Sequence, residues 1–172
     1  MRYAAFIRGI NVGGNVLIKM ADLAKLFEKG GLKNVKTILA SGNVIFDSAK
    51  SATALEKLLE TTLQKKYKRN IFVLVRTIPE LKEIAKLDPF KKIKVTKNTR
   101  LYVTFCREKP TRIKPAKHPG FQILGTKDRE IFSVLELSDK VKTPDVMKIM
   151  GKEVGITTMR NWNTILKVLK AA

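Results

Sequence analysis

The chain has 172 residues, 44% of them hydrophobic, and a formal net charge of +20 at pH 7. This composition excludes a disordered chain, and no apolar run approaches the ~20 residues of a membrane helix. The single cysteine excludes an internal disulfide, and with one histidine beside it a zinc site is not expected. We therefore predict a cytoplasmic protein without metal, cofactor or membrane contact, and a monomer is the favoured state.

The first half of the chain, residues 1–77, predicts elements in the order β-α-β-β-α-β. A strand over Tyr3–Ile7 precedes a glycine loop and a helix in "MADLAKLFEKGG". The strands "VKTILA" and "VIFD" flank "SGN", where Gly42-Asn43 predicts a two-residue hairpin turn. The helix "ATALEKLLETTLQKKY" and the strand "IFVLV" complete the series. This order is typical of the split β-α-β unit of ferredoxin-like sandwiches.

Residues 78–172 predict a second, smaller α+β subdomain closely packed on the first. "TIPE" is a capping box that opens a helix ending before Asp88-Pro89, and "LYVTFC" is a strand. "FQIL" and "EIFSVLEL" predict a hairpin, and "TPDVMKIMG" predicts a short helix. The last helix is expected to begin near Thr158 and to bury Trp162, Ile165, Leu166 and Leu169. Without a clear linker, one inseparable domain is the alternative, and no sequence repeat is evident.

Neither Cys106 nor the only histidine, His118, is expected to be a nucleophile or its base. Cys106 ends the strand "LYVTFC", where a small buried thiol is typical, and His118 lies in the turn "AKHPG". Because a Cys–His pair would need these two environments to meet, we do not predict one.

Positive charge is concentrated between Lys65 and Lys117. This stretch holds 17 basic residues against four acidic ones, a net charge of +13. A field of that sign attracts phosphate polymers, so nucleic acid or another polyanion is the predicted partner. Because 26 of the 35 basic residues are lysine, the pattern favours weak, sequence-independent attraction. A merely solubilising surface is the alternative.

The loop "IRGINVGGN" raises the question of a phosphate site. It matches neither the P-loop, since Asn15 follows the glycines where lysine is required, nor the G-x-G-x-x-G dinucleotide motif. Gly13 and Gly14 would still allow backbone N–H groups to converge on an anion, with Arg8 and Asn11 completing the nest. A plain turn is the alternative interpretation.

The predicted topology places a second segment beside this loop. In the split β-α-β order the first and third strands are adjacent. The loop Arg8–Gly14 should therefore lie beside the turn Ser41-Gly42-Asn43, which brings an arginine, two asparagines and a serine to one edge of the sheet.

Three segments resemble a bacterial family, domain of unknown function 1697: "RGINVGG" with "KMADL", then "SGNVIF", then "TTMRNWNT". The resemblance implies an α+β protein with a ferredoxin-like first half, and it brings no established activity. The family's signature positions in this chain are Arg8, Gly9, Asn11, Gly13, Gly14, Met20, Ser41, Gly42, Asn43, Thr158, Arg160, Asn161, Trp162, Asn163 and Thr164. The chain departs from the family in "GGNVLIKM" and at Ala40, where glutamine is usual.

The C-terminal motif adds a second candidate anion site. A helix that begins at Thr158 or Asn161 leaves its first N–H groups unpaired, and Arg160 would add a charge. Capping and core packing of Trp162 form the alternative. The predicted ligand-binding residues are thus Arg8, Asn11, Gly13, Gly14, Ser41, Asn43, Thr158, Arg160, Asn161 and Asn163.

Three functions follow from these patterns. The first is binding of a phosphate-bearing or polyanionic ligand, a nucleotide or nucleic acid. The second is an enzyme acting on a small anionic substrate in an Arg/Asn/Ser pocket, for which these motifs supply no general base. The third is a structural or protein-interaction domain. The strand "VIFDS" offers only Phe46 as a stacking platform, so binding through the nucleic-acid backbone is favoured over base stacking.

Overall fold

The computed structural model describes residues 1–11, 17–111, 113, 119–138 and 154–172. The strands are β1 Arg2–Ile7, β2 Lys33–Ile38, β3 Asn43–Asp47, β4 Val73–Thr77, β5 Thr99–Cys106, β6 Phe121–Lys127, β7 Glu130–Glu136 and β8 Thr157–Asn161. The helices of the described residues are α1 Met20–Lys29, α2 Ala52–Tyr67, α3 Ile78–Leu87 and α4 Trp162–Ala171. The predicted α+β class is confirmed, whereas the helix predicted in "TPDVMKIMG" lies outside these residues. None of the four helices is long and apolar enough to cross a bilayer.

Backbone contacts divide the chain into two units. The first comprises Met1–Glu83 and Thr164–Ala172, and the second comprises Ile84–Asn163. The first unit holds an antiparallel sheet in the order β2-β3-β1-β4, and the second holds one in the order β6-β7-β5-β8. The first order is the one that the predicted β-α-β-β-α-β pattern gives.

The core of the first unit forms where α1 and α2 cover one face of its sheet. Leu23 and Phe27 of α1 are fully buried, as their spacing predicted, and Leu55 and Leu63 of α2 join the same cluster. The Phe27 ring meets the Phe46 ring edge-on at 6.1 Å. Phe46 is therefore a core residue.

Two carboxylates of α2 cover the outer edge of β4. The Val73 N–H donates to Glu60 Oε1 and the Val75 N–H donates to Glu56 Oε1, both at 2.9 Å. Four helical residues rise about 6 Å and two strand residues about 6.6 Å, so the two pairs match in spacing. The helix thereby occupies N–H groups that an outer strand would otherwise leave open.

The two units repeat one topological pattern. Each sheet places its first strand between its third and its fourth. The recurring residues are Tyr3 and Tyr102, Phe6 and Phe105, and Arg8 and Arg107. The N–H of Arg8 donates to Phe72 O and that of Arg107 donates to Ile156 O, each at 2.9 Å, directly before the fourth strand of its unit. This repeat was not evident in the sequence, because only three scattered identities mark it.

The repeat also pairs two buried arginines. Arg76 in β4 and Arg160 in β8 hold the same penultimate position in the fourth strand of each unit. Each donates from Nη1 to the carbonyl oxygen of the preceding residue, at 2.9 Å for Arg76 and 2.8 Å for Arg160. Both side chains therefore make the same contact with the backbone of their own strand.

The predicted two-residue hairpin is wrong. Ile38 pairs with Asn43, so the connection between β2 and β3 has four residues, 39–42. Leu39 and Gly42 both adopt positive φ, at 59° and 74°. Asn43 belongs to β3, and its fully buried side chain donates a hydrogen bond to Ile38 O at the end of β2. This tertiary contact overrides the preference of asparagine for turns.

The predicted start of the last helix is also wrong. Thr158 lies in β8 opposite Phe105, and α4 begins only at Trp162. β-Branched threonines suit a paired strand better than a helix end. The shifted start also changes the buried face, since Leu166 is 42% exposed and Val168 is buried.

Two smaller expectations are confirmed. The capping box forms, with the Thr77 N–H donating to Glu80 Oε2 at 2.7 Å and the Glu80 N–H donating to Thr77 Oγ1 at 3.2 Å. Cys106 is fully buried. His118 lies outside the described residues.

Candidate functional site

The glycine loop and the β2–β3 turn lie side by side, as the fold predicted. The Ile7 N–H donates to Gly42 O at 2.8 Å, and Asn11 Nδ2 donates to Ala40 O at 2.8 Å. The described part of the loop, residues 8–11, therefore contacts the turn. Gly13 and Gly14 lie outside the described residues.

Asn11 closes the loop with its side chain. Its Nδ2 donates to Ile18 O at 2.9 Å and its Oδ1 accepts from the Ile18 N–H at 2.7 Å. The residue adopts φ of 56°, a conformation that asparagine tolerates better than most residues. Because its amide bonds backbone on both sides, Asn11 serves the loop's shape.

We predict that Asn11→Ala lowers the free energy of unfolding by about 2 kcal/mol, through lost hydrogen bonds and the positive φ. Urea denaturation followed by circular dichroism measures this. Lys68→Ala is the control for the backbone term, since Lys68 also has positive φ, at 55°, and its side chain is exposed. An equal loss in both variants would show that the hydrogen bonds of the Asn11 amide contribute nothing to the free energy of unfolding.

Asn43 and Ser41 are also engaged within the protein. Asn43 is fully buried, and its Nδ2 donates to Ile38 O at 3.0 Å and to Ser41 Oγ at 3.1 Å. These bonds satisfy an amide that burial would otherwise penalise. The two residues hold the turn, whereas the side chain of Arg8 at the same edge is exposed.

Arg8 is exposed at the start of the loop. Its guanidinium lies over the Phe72 ring, 5.9 Å from the ring centre, in a cation–π contact. Because the side chain is exposed, its N–H donors are accessible to an anion.

The C-terminal segment places its predicted residues in two pairs within the second unit. Arg160 Nη1 donates to Thr158 Oγ1 at 2.8 Å, and both residues are buried. Burial lowers the pKa of Arg160 to about 10, so it remains charged at neutral pH. Asn161 Oδ1 accepts from the Asn163 N–H at 2.9 Å and caps α4. That these four residues share one pocket with Arg8 stays a prediction.

The residues between α3 and β5 form a basic segment that sequence reasoning did not single out. Its four lysines, Lys91, Lys92, Lys94 and Lys97, are all exposed, and we call them with their backbone the lysine segment. Phe90 anchors it, since its buried ring packs 5.3 Å from Trp162 and 6.1 Å from Phe132. In the sequence, this segment is indicated by "DPF" directly before "KKIKVTK", that is, by an aromatic residue followed by closely spaced lysines.

Beside the lysine segment lies a cavity of about 320 Å³ in the second unit. Its lining includes Asp88, Val95, Thr99, Asn161, Trp162 and Asn163, and we call it the asparagine pocket. Asn161 uses its oxygen for the cap, and its Nδ2 makes no bond to a described residue. The pocket thus presents amide donors and one exposed carboxylate against an apolar wall.

The asparagine pocket has one carboxylate, that of Asp88, and its pocket neighbours are amides, a hydroxyl and apolar groups. Within the described residues no cluster of three or more His, Cys, Asp or Glu side chains is arranged to hold a metal. Of the residues on which the enzyme hypothesis rests, Asn11, Ser41 and Asn43 bond to the protein itself, and Arg8 is exposed.

The chain is similar in fold to a solved structure and matches a family model. No curated protein matches the chain. Among solved structures, the chain is similar to the conserved bacterial protein SP0830 from Streptococcus pneumoniae, with 21% identity and a TM-score of 0.67, over 98% of this chain and 97% of that one. At this identity the likeness shows the fold alone. A family model described as "Protein of unknown function (DUF1697)" matches residues 1–131, and the chain therefore belongs to that family.

Proposed function

We propose that the protein binds single-stranded nucleic acid along the lysine segment without catalysing a reaction on it. The observation that carries this proposal is four exposed lysines on an anchored segment beside a half-polar pocket. Asp88 is the only acidic residue between α3 and β5, where the four lysines also lie, so the local field is strongly positive.

The anchor explains how lysines can bind an extended ligand. Turn bonds from Lys91 N–H to Asp88 O and from Ile93 N–H to Phe90 O, at 3.2 and 2.9 Å, hold the backbone around the buried Phe90 ring. Because the backbone is held in this way, the lysine ammonium groups stay within a limited region, and the protein loses less conformational entropy when it binds a ligand. Lysine contacts phosphate as a point charge, so the attraction is independent of sequence.

The asparagine pocket supports a single strand over a duplex. A volume of about 320 Å³ accommodates one base, and bases are accessible for such contacts only when unstacked from a partner strand. The amides of Asn161 and Asn163 and the Asp88 carboxylate supply donors and acceptors for base edges. The buried Phe46 removes the third-strand stacking platform of RNA-recognition motifs from consideration.

Fluorescence anisotropy with a labelled random strand of about 20 nucleotides, at roughly 50 and 200 mM salt, tests the proposal. If the four lysines each contact a phosphate, the affinity should fall about 50-fold between these salt concentrations. A matched duplex and an abasic strand of equal length should bind roughly tenfold more weakly than the single strand. Absence of binding at the lower salt concentration would overturn the proposal, and equal binding of the abasic strand would remove the pocket's part in it.

A further inference from the structure

The outer edge of β6 is open within the described residues. β6 lies at the end of the sheet order β6-β7-β5-β8, and its backbone pairs with β7 on one side. On the other side no described residue bonds to the backbone of residues 122–127. Such an edge offers N–H and C=O groups to any chain that runs alongside it.

β6 also lacks the protection that the outer strands of the first unit carry. β2 bears the exposed Lys33 and Lys36, and the edge of β4 is covered by Glu56 and Glu60. In β6, residues 121–126 contain no charged side chain, and Lys127 at the end of the strand is its one charged residue. The pairing with β7 is irregular between Ile123 and Gly125. Charges and covering groups normally keep outer strands from pairing with other chains, so their absence from residues 121–126 marks this part of the edge as suited to pairing.

A groove is lined by residues 124–126 of this strand. Its volume is about 380 Å³, and Leu124, Gly125 and Thr126 of β6 face Leu87, Pro89 and Ile93 across it. Phe132 contributes to its lining, and Lys91 and Lys92 lie along it. We call this cavity the β6 groove. Leu87 is 47% exposed, which leaves an apolar wall accessible to a ligand.

We infer that the β6 groove binds an extended acidic peptide segment of a partner protein, which adds as a strand to β6. The backbone of the segment pairs with the open edge, an apolar side chain contacts Leu87 and Leu124, and carboxylates meet Lys91 and Lys92. A second copy of this chain is a poor occupant, because each copy carries a net charge of +20 and would bring like charge to the same lysines.

A labelled peptide of alternating glutamate and valine, acetyl-Glu-Val-Glu-Val-Glu-Val-Glu-amide, is the probe. We expect a Kd on the order of 10 to 100 µM, with NMR amide shifts concentrated at residues 123–126. N-methylation of alternate peptide bonds on the pairing edge should weaken binding about tenfold, because it removes backbone donors. A peptide with lysine in place of glutamate should not bind.

Two protein variants test the location. Leu124→Glu places a carboxylate in the groove and should abolish peptide binding, whereas Gln122→Glu, exposed on the same strand and outside the lining, should reduce it less than threefold. Both variants should retain nucleic-acid binding, which separates this inference from the proposed function. Unchanged affinity of the N-methylated peptide, or of Leu124→Glu, would overturn the inference, and the first result does not depend on how well the variant folds.

Discussion

Replacing Arg76 by alanine is expected to lower the free energy of unfolding by about 3–5 kcal/mol. Arg76 is 1% exposed and its Nη1 lies 3.9 Å from Oε1 of the buried Glu56. The alanine variant leaves that carboxylate in the core without its cation. It also removes the donor to Val75 O, the residue whose N–H donates to Glu56. Urea denaturation measured by circular dichroism gives the change.

The double variant Arg76→Met/Glu56→Gln distinguishes loss of the charge pair from loss of volume. Methionine fills much of the arginine stem's space, and glutamine keeps an acceptor for the Val75 N–H. We expect it to recover at least half of the loss, because no buried charge remains unpaired. A double variant as unstable as Arg76→Ala would contradict the assignment of the loss to the isolated carboxylate.

Gly42→Ala is expected to cost about 3–4 kcal/mol, because overpacking adds to a positive φ. At φ of 74° a Cβ on Gly42 would stand 2.9 Å from Cγ1 and Cδ1 of Ile10 and 3.1 Å from Cβ of Ile7. Both isoleucines are buried, so neither can move aside cheaply. Thermal and urea unfolding provide the measurement.

Gly9→Ala is the matched control for this substitution. Gly9 has a similar φ of 69°, and a Cβ there would meet no atom within 4 Å. Only the backbone cost of about 1 kcal/mol should remain. If both glycine variants lost the same stability, the contact between the loop and the turn would contribute nothing beyond backbone conformation.

The elements of the first unit could be predicted because local and tertiary preferences agree there. Leu23 and Phe27 lie at helical spacing and pack on one face, and the β-α-β-β-α-β order alone placed the glycine loop beside the β2–β3 turn. The two errors occurred where tertiary contacts override local preference. Asn43 is drawn into β3 by its buried amide bonds, and Thr158 is drawn into β8 by pairing with β5.

The candidate site was less predictable than the fold. Sequence reasoning identified Asn11, Asn43 and Arg160 as polar residues in distinctive motifs, but motif identity does not reveal whether an amide or guanidinium bonds to ligand or to protein. The structure engages all three internally. The lysine segment was counted within the basic stretch, yet its anchoring by Phe90 depends on Trp162, which is remote in sequence.

The repeat of the two units gives the C-terminal motif a physical explanation. Arg160 corresponds to Arg76 at the penultimate position of the fourth strand, and each bonds to the preceding carbonyl. An arginine in this position stabilises the end of a strand directly before a helix. Within the motif, Thr158 and Arg160 lie in β8, Asn161 caps α4 and Trp162 packs on Phe90, while Asn163 is exposed.

The most direct test of nucleic-acid binding at the lysine segment compares two variants of equal net charge. One replaces Lys91, Lys92, Lys94 and Lys97 by alanine, and the other replaces the exposed Lys25, Lys29, Lys33 and Lys36 of the first unit. The measurement is the slope of log affinity for a random single strand against log salt concentration. We predict that the slope becomes shallower by about 3 in the first variant and by less than 1 in the second. Equal slopes in the two variants would contradict a site at the lysine segment and leave only the overall charge of the chain.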